Sequence, residues 1–176
     1  MTNYSRTTLR ELKKRYLNIL KKCLLANLMA FSFVLPSMAE TEIDVYTKEI
    51  TQEQYRDGGN FQIASNTSKT YENITHFLDN KVTSTNGFVY GGNLYSNGAV
   101  TFRDEALFDR TIITGESAQG SAIYNNNLGE LIFEGSAIFK NNKSIATTKD
   151  ATGAIQNWSN ATIIFKKSAL FENNSA

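Results

Sequence analysis

The segments GSAIYNNNLGELIFEGSAIFKNN at residues 120–142 and TGAIQNWSNATIIFKKSALFENN at residues 152–174 are two copies of one unit. Each copy has a head of small residues followed by isoleucine, an apolar triplet that ends in phenylalanine, and a final Phe-x-x-Asn tetrad. A unit that recurs at a fixed spacing is typical of a solenoid, in which each coil packs against its neighbours. These two copies therefore decide how the rest of the chain is interpreted.

The same elements recur N-terminal to residue 120. The tetrads begin at phenylalanines spaced by 31, 31 and 32 residues: Phe77, Phe108, Phe139 and Phe171. Six residues before each of the last three lies a second phenylalanine, at Phe102, Phe133 and Phe165, and the first unit has Tyr71 there. The tetrads end in Asn80, Thr111, Asn142 and Asn174. Residues 58–176 therefore form about four repeats of 31–33 residues, incomplete at the C-terminus.

The apolar residues of each unit alternate with polar ones, as in Leu131 and Phe133 or Ala137 and Phe139. Alternation at period two predicts strands, and no helix-length pattern separates them. We therefore predict an all-β fold, a parallel β-helix with about three short strands per unit. Stacking the units at about 4.8 Å places the phenylalanines in an internal column. The asparagines are expected at the bends, bonded from coil to coil, and the head glycines at a second permissive corner.

The paired Gly-Gly-Ala-Ile-like and Phe-x-x-Asn motifs resemble those of chlamydial polymorphic outer membrane proteins and, more widely, of autotransporter passenger domains. The clean copies are residues 120–123, 139–142, 153–155 and 171–174, and the resemblance covers residues 58–176. It implies a right-handed β-helix, secretion through the outer membrane and a role in adhesion. The implied partners are an unidentified ligand on a host or neighbouring cell, and C-terminal repeats and a barrel that the 176 residues lack. We therefore expect a fragment, a truncated product or part of a split locus.

The first 39 residues have the three parts of a secretory signal peptide. Basic residues extend to Lys22, an apolar run occupies residues 23–35, and Pro36 precedes Ser37, Met38 and Ala39. The apolar run is shorter than the roughly 20 residues of a membrane-spanning helix. We predict a helical signal peptide over residues 1–39, cleaved between Ala39 and Glu40. The product is then exported to the cell surface, the outer membrane or the medium; an uncleaved anchor or a surface helix is the alternative.

Charge and cysteine content change when the leader is removed. Residues 1–39 carry seven Lys or Arg and one Glu, which leaves 11 basic and 16 acidic residues in the remainder, a net charge of −5. A surface of this sign argues against a nucleic-acid partner. The single cysteine, Cys23, lies in the leader, so the mature chain has no disulfide and no cysteine metal site.

Residues 40–57 are predicted to form an N-terminal cap of the solenoid. A first strand is expected at Ile43, Val45 and Tyr46, followed by one helical turn over residues 51–56 that Thr51 caps.

The repeats offer few groups for catalysis. The only histidine, His76, precedes Phe77 and is interpreted as a surface residue, and the densest acidic group is Asp104, Glu105 and Asp109. We therefore predict no enzymatic activity, no cofactor and no metal, and an adhesin or display scaffold as the function. A carbohydrate-active β-helix enzyme is the alternative, and it requires two or three carboxylates of adjacent coils to converge on one face, with Asp79, Asp104, Asp109 and Glu134 as the candidates. A truncated remnant without independent activity is a third.

Several aromatic residues lie near the repeat heads, namely Tyr90, Tyr95, Tyr124 and Trp158. Such rings form a ligand-stacking strip in some proteins and cover apolar seams in others, and the sequence leaves both interpretations open.

Overall fold

The computed structural model describes residues 41–52 and 61–176. The predicted signal peptide and its cleavage site at Ala39 and Glu40 lie outside the described residues. The strands are β1 (Ile43–Tyr46), β2 (Glu49–Gln52), β3 (Phe61–Ile63), β4 (Ser68–Tyr71), β5 (Ile74–Leu78), β6 (Lys81–Ser84), β7 (Phe88–Tyr90), β8 (Leu94–Ser96), β9 (Ala99–Phe102), β10 (Ala106–Asp109), β11 (Ile112–Gly115), β12 (Ser117–Gln119), β13 (Ile123–Asn125), β14 (Glu130–Phe133), β15 (Ala137–Lys140), β16 (Lys143–Ala146), β17 (Ile155–Asn157), β18 (Thr162–Phe165) and β19 (Ala169–Glu172).

All the strand pairs are parallel, and they form five sheets that the chain visits in turn. These are sheet A (β1-β5-β10-β15-β19), sheet B (β2-β6-β11-β16), sheet C (β7-β12), sheet D (β3-β8-β13-β17) and sheet E (β4-β9-β14-β18). We number the coils from sheet D: coil 1 is β3–β7, coil 2 is β8–β12, coil 3 is β13–β16, and coil 4 is β17–β19. The predicted parallel β-helix is therefore confirmed, with about four coils and with no helix among the described residues.

Each full coil contains five strands, whereas about three were predicted. The two additional strands lie in sheets B and C, and their inward side chains are smaller than phenylalanine, so their pattern in the sequence is weak. They enclose a small second core of Val82, Val89, Ile113 and Ala118. Residue 151 continues sheet C into coil 3, where Ala151 bridges to Ala118.

The main core consists of two aromatic columns. In sheet A the rings of Tyr46, Phe77, Phe108, Phe139 and Phe171 stack with centroid distances of 5.1, 4.8, 4.8 and 4.8 Å. In sheet E the rings of Tyr71, Phe102, Phe133 and Phe165 stack at 4.7, 4.9 and 5.0 Å. The columns meet edge to face, as between Phe102 and Phe108 at 5.7 Å. Tyr71 therefore takes the place of the phenylalanine that the first unit lacks.

The tetrad asparagines form a hydrogen-bonded ladder at the corner between sheets A and B. Asn142 Nδ2 donates to Phe108 O at 3.0 Å and to Asn174 Oδ1 at 2.9 Å, and Asn174 Nδ2 donates to Phe139 O at 2.8 Å. Thr111 N in turn donates to Asn142 Oδ1 at 3.0 Å. The left-handed backbone is at the preceding position, namely at Asp79, Arg110, Asn141 and Asn173, with φ between 52° and 57°. The third tetrad residue therefore makes the bend, and the fourth bonds from coil to coil.

Coil 2 replaces this arrangement by a different polar pair. Thr111 lies where the other coils have asparagine, and Asn93 faces it where coils 3 and 4 have Ala122 and Ala154. Asn93 Nδ2 donates to Thr111 Oγ1 at 2.8 Å, and both residues are fully buried. The shorter threonine leaves the space that the longer Asn93 fills.

This exchange predicts a coupling between the two positions. We expect Asn93→Ala and Thr111→Asn each to destabilise the fold by about 1–2 kcal/mol. The first variant leaves a cavity beside Thr111, and the second places a crowded, unpaired amide beside Asn93. The double variant reproduces the arrangement of coil 3 and should recover at least about 1 kcal/mol of the summed loss. Urea unfolding of the four proteins measures this coupling, and strict additivity would contradict the compensation.

The glycine at the head of coils 2 and 3 is required by its backbone conformation. Gly91 and Gly120 have φ of 68° and 64°, and a Cβ at Gly120 would lie 2.2 Å from Ile123 O. At Gly153, by contrast, an added Cβ meets no atom within 4 Å.

We expect Gly120→Ala to destabilise the protein by about 2 kcal/mol or more, since the left-handed conformation and the contact with Ile123 O both oppose a side chain. Gly153→Ala is the matched control, and its effect should stay within about 0.5 kcal/mol. The difference in urea midpoint between the two variants measures the effect; equal midpoints would contradict this role for Gly120.

The segment N-terminal to the repeats continues the solenoid. The predicted first strand is present as β1, which pairs with β5, and Tyr46 faces Phe77 in the register. The predicted helical turn capped by Thr51 is wrong at its start, because Thr51 lies in strand β2 and pairs with Thr83. Main-chain pairing along sheet B satisfies the N–H and C=O groups of this segment, so no helix cap is needed. Residues 53–56 lie outside the described residues.

Candidate binding surface

The repeat residues point into the solenoid and do not form an exposed site. Phe77, Phe102, Phe108, Phe133 and Phe139 have at most 1% of their surface exposed. At the C-terminal end the column is less covered, and Phe171 is 52% exposed. The repeat motifs therefore hold the coils together, and any recognition must use outward residues and turns.

The four candidate carboxylates of the enzyme alternative lie at two separate corners. Asp79 and Asp109 lie where sheet A meets sheet B, and Arg110 forms ion pairs with both. Asp104 and Glu134 lie between sheets E and A, where Asp104 occupies the predicted bend. Strand β10 separates the two corners, about 13 Å for four residues. The fold therefore places these carboxylates in two pairs, Asp79 with Asp109 and Asp104 with Glu134, and does not bring all four to one face.

Ion pairs lower the pKa of one carboxyl at each corner. The Arg110 guanidinium donates to Asp79 Oδ1 and Oδ2 at 2.6 and 3.0 Å and holds the pKa of Asp79 below its ordinary value. Lys166 Nζ donates to Glu134 Oε1 at 2.8 Å and likewise lowers the pKa of Glu134. Both carboxylates are therefore held ionised by partners on the next coil.

His76 lies on the outer face of sheet A, as the sequence predicts for a residue beside an inward phenylalanine. Its side chain is 20% exposed, and Nε2 lies 3.5 Å from Glu105 Oε1. This contact joins two neighbouring coils.

Three of the four aromatics near the repeat heads form a packed outer cluster. The rings of Tyr95 and Tyr124 stack at 5.5 Å, and Tyr90 lies 4.8 Å from Tyr124. Tyr95 and Tyr124 are only 7% and 6% exposed, which favours the covering interpretation. Trp158 lies apart from them in the turn after β17 and is 55% exposed.

The turns between sheets D and E differ in length from coil to coil. Coils 1, 3 and 4 have four residues between the two strands, at 64–67, 126–129 and 158–161. Coil 2 has two, Asn97 and Gly98. Because the coils are stacked, the short turn lies recessed between two longer ones and leaves a notch of about 590 Å³.

Polar residues line most of this notch. Ser65 and Asn66 of coil 1 form one wall, Asn127 and Leu128 of coil 3 form the other, and Asn97 lies at the floor. The recess is held by main-chain bonds, since Asn97 N donates to Ile63 O at 2.9 Å and Asn126 N donates to Ser96 O at 2.7 Å. The volume lies within the range of about 300–1,000 Å³ that is usual for small-ligand sites.

A scan against protein-family models and searches of curated proteins and of solved structures find no match. Among residues 41–52 and 61–176, no helix has the length and hydropathy of a membrane span. In the same ranges, three or more His, Cys, Asp or Glu side chains do not converge on one point as metal ligands.

The prediction from sequence missed the notch, although the spacing of the repeats contains its signal. Ten positions separate the head residue from the sheet E aromatic in three units, as from Ile123 to Phe133. Only eight separate Leu94 from Phe102. The first two tetrad spacings are nevertheless 31 residues each, because the segment from Phe77 to Leu94, at the end of coil 1, is two residues longer than that from Phe108 to Ile123. This compensation hides the shorter turn.

Proposed function

We propose that the chain is an exported bacterial surface protein, a β-helical passenger segment that serves as an adhesin or display scaffold. The proposal rests on two features, the leader pattern of residues 1–39 and the β-helix that follows it. The mature segment is acidic by five charges and free of cysteine, as suits a body that folds outside the cytoplasm.

The observation that carries the proposal is the division between inward and outward positions. Inward positions repeat from coil to coil, as with Phe108 and Phe139. Outward positions do not: the row at the start of the sheet E strands reads Ser68, Ala99, Glu130 and Thr162. A regular core with a variable outer surface is the arrangement by which solenoids present extended binding surfaces.

The proposal is tested by adhesion of the exported protein. The full chain is expressed in a Gram-negative host, and the mature form is coated on fluorescent beads that are offered to cultured epithelial cells and to bacterial lawns. We expect saturable adhesion that soluble protein competes. The control is the same bead coated with Phe139→Ala, which has nearly the same composition and a disrupted core. Equal adhesion by both beads would contradict an adhesin role.

A further inference from the structure

We propose that the notch over the short turn of coil 2 binds one pyranose unit of a neutral saccharide. This inference rests on the proposed function, because it names the class of ligand that an adhesive surface of this chain would take.

The dimensions of the notch follow from the stacking of the coils. Its two walls belong to coils 1 and 3, which are two rungs and therefore about 9.6 Å apart. The side chains of Asn66 and Asn127 line this gap from its two sides. Gly98 closes the floor, where an added Cβ would lie 2.5 Å from Ala64 O and from Thr67 O. The separation of the walls therefore accommodates a ring-sized group such as one saccharide unit, and it is too narrow for a helix.

The polar groups that line the notch are mostly uncharged. Ser65 and Ser68 present hydroxyl groups, and Asn66 and Asn127 present amides that both donate and accept hydrogen bonds. Glu130 is the charged side chain among the lining residues. Hydroxyl groups of a sugar match such mixed donors and acceptors, whereas a phosphate, sulfate or carboxylate would meet the negative charge of Glu130 without a cation beside it.

Leu128 supplies an apolar surface at the rim of the notch, and both its backbone conformation and its exposure are unusual for leucine. Its backbone has φ of 69°, and its side chain is 70% exposed. Leucine is an outlier in the left-handed region, where glycine or asparagine is accommodated with less strain. Within the described residues, packing does not cover the Leu128 side chain and so does not compensate for the backbone strain. The C–H face of a pyranose packed on Leu128 would cover this side chain.

Asn97 provides a hydrogen-bonding group at the floor. Its Oδ1 is buried and accepts no hydrogen bond from the described residues. Rotation about χ2, a broad torsion in asparagine, would turn the amide towards the notch. A sugar hydroxyl would then satisfy this acceptor, which otherwise carries an uncompensated loss of hydration.

The experiment offers the mature chain, exported from a full-length gene, to an array of neutral, sialylated and sulfated glycans. The strongest neutral glycan is then titrated by calorimetry against three variants. In the first, Asn-Gly is inserted between Asn97 and Gly98, which gives coil 2 a four-residue turn and fills the notch. The second is Leu128→Gly, which removes the apolar rim and relaxes the backbone. Ile164→Ala, an exposed aliphatic residue of coil 4 outside the notch, is the matched control.

We expect a signal on neutral glycans, loss of binding on insertion, and roughly tenfold weaker binding for Leu128→Gly with an unchanged or higher urea midpoint. Ile164→Ala should bind as the unaltered chain does. No signal on neutral glycans, a preference for sialylated or sulfated glycans, or full binding by the insertion variant would overturn the proposal. Bead adhesion of the insertion variant distinguishes the two proposals. If the beads still adhere, the notch is not the adhesive site, although the protein is still an adhesin.

Discussion

Phe139→Ala is expected to destabilise the β-helix by about 3–5 kcal/mol, which approaches the whole stability of a domain of this size. Phe139 is fully buried, and its ring stacks at 4.8 Å on both Phe108 and Phe171. It also meets Phe133 edge to face at 5.9 Å. Truncation opens a cavity between two aromatic columns that the parallel strands prevent from collapsing. Urea unfolding followed by far-ultraviolet circular dichroism measures the loss.

The control for this prediction lies one coil further along the same column. Phe171 occupies the same repeat position and makes the same stacking contact with Phe139, but half of its surface is exposed. We therefore expect Phe171→Ala to cost less than half as much as Phe139→Ala. Equal losses at the two positions would contradict burial between coils as the source of this stabilisation.

Asn142→Ala is expected to cost about 3 kcal/mol, because it removes hydrogen bonds from two buried main-chain groups at once. Thr111 N loses its acceptor, and Phe108 O loses the donor at 3.0 Å. Each unsatisfied buried group costs about 1–3 kcal/mol, and the contact with Asn174 is lost as well. The free energy of unfolding in urea, compared with that of the unaltered chain, gives the measurement.

Asn160→Ala provides the comparison for the ladder. Asn160 is an exposed turn residue of coil 4, and its truncation should change stability by no more than about 0.5 kcal/mol. If Asn142→Ala behaved like Asn160→Ala, the tetrad asparagine would be an ordinary bend residue and the ladder would not stabilise the stack.

The residues that determine the stacking could be identified from the sequence, because they face inward and recur with it. An inward position in a parallel β-helix contacts its own copy at about 4.8 Å, so the same residue suits every coil. Phe108 and Phe139 show this directly, and the parallel fold follows from them. The sequence shows Thr111 only as a departure from the tetrad asparagine. That Asn93 fills the space beside Thr111 depends on which residues face each other across the coil, and the sequence does not give this.

What the sequence did not reveal depends on the comparison of neighbouring coils. The strands of sheets B and C each place one or two residues inward, such as Val89 and Ala118, and an alternation this short cannot be distinguished from a loop. The notch arises from a difference of two residues between stacked turns, and it becomes a cavity only when the coils are superposed. The strain at Leu128 likewise follows from the turn geometry and not from its residue type.

Export of the chain is tested by its intact mass after expression from the full-length gene in a Gram-negative host. We expect the protein to be recovered outside the inner membrane, its mass to correspond to a start at Glu40, and its circular dichroism spectrum to be sheet-rich. A chain that stays in the cytoplasm with Met1 to Ala39 attached would contradict export, and with it the proposal that this β-helix is presented at the cell surface.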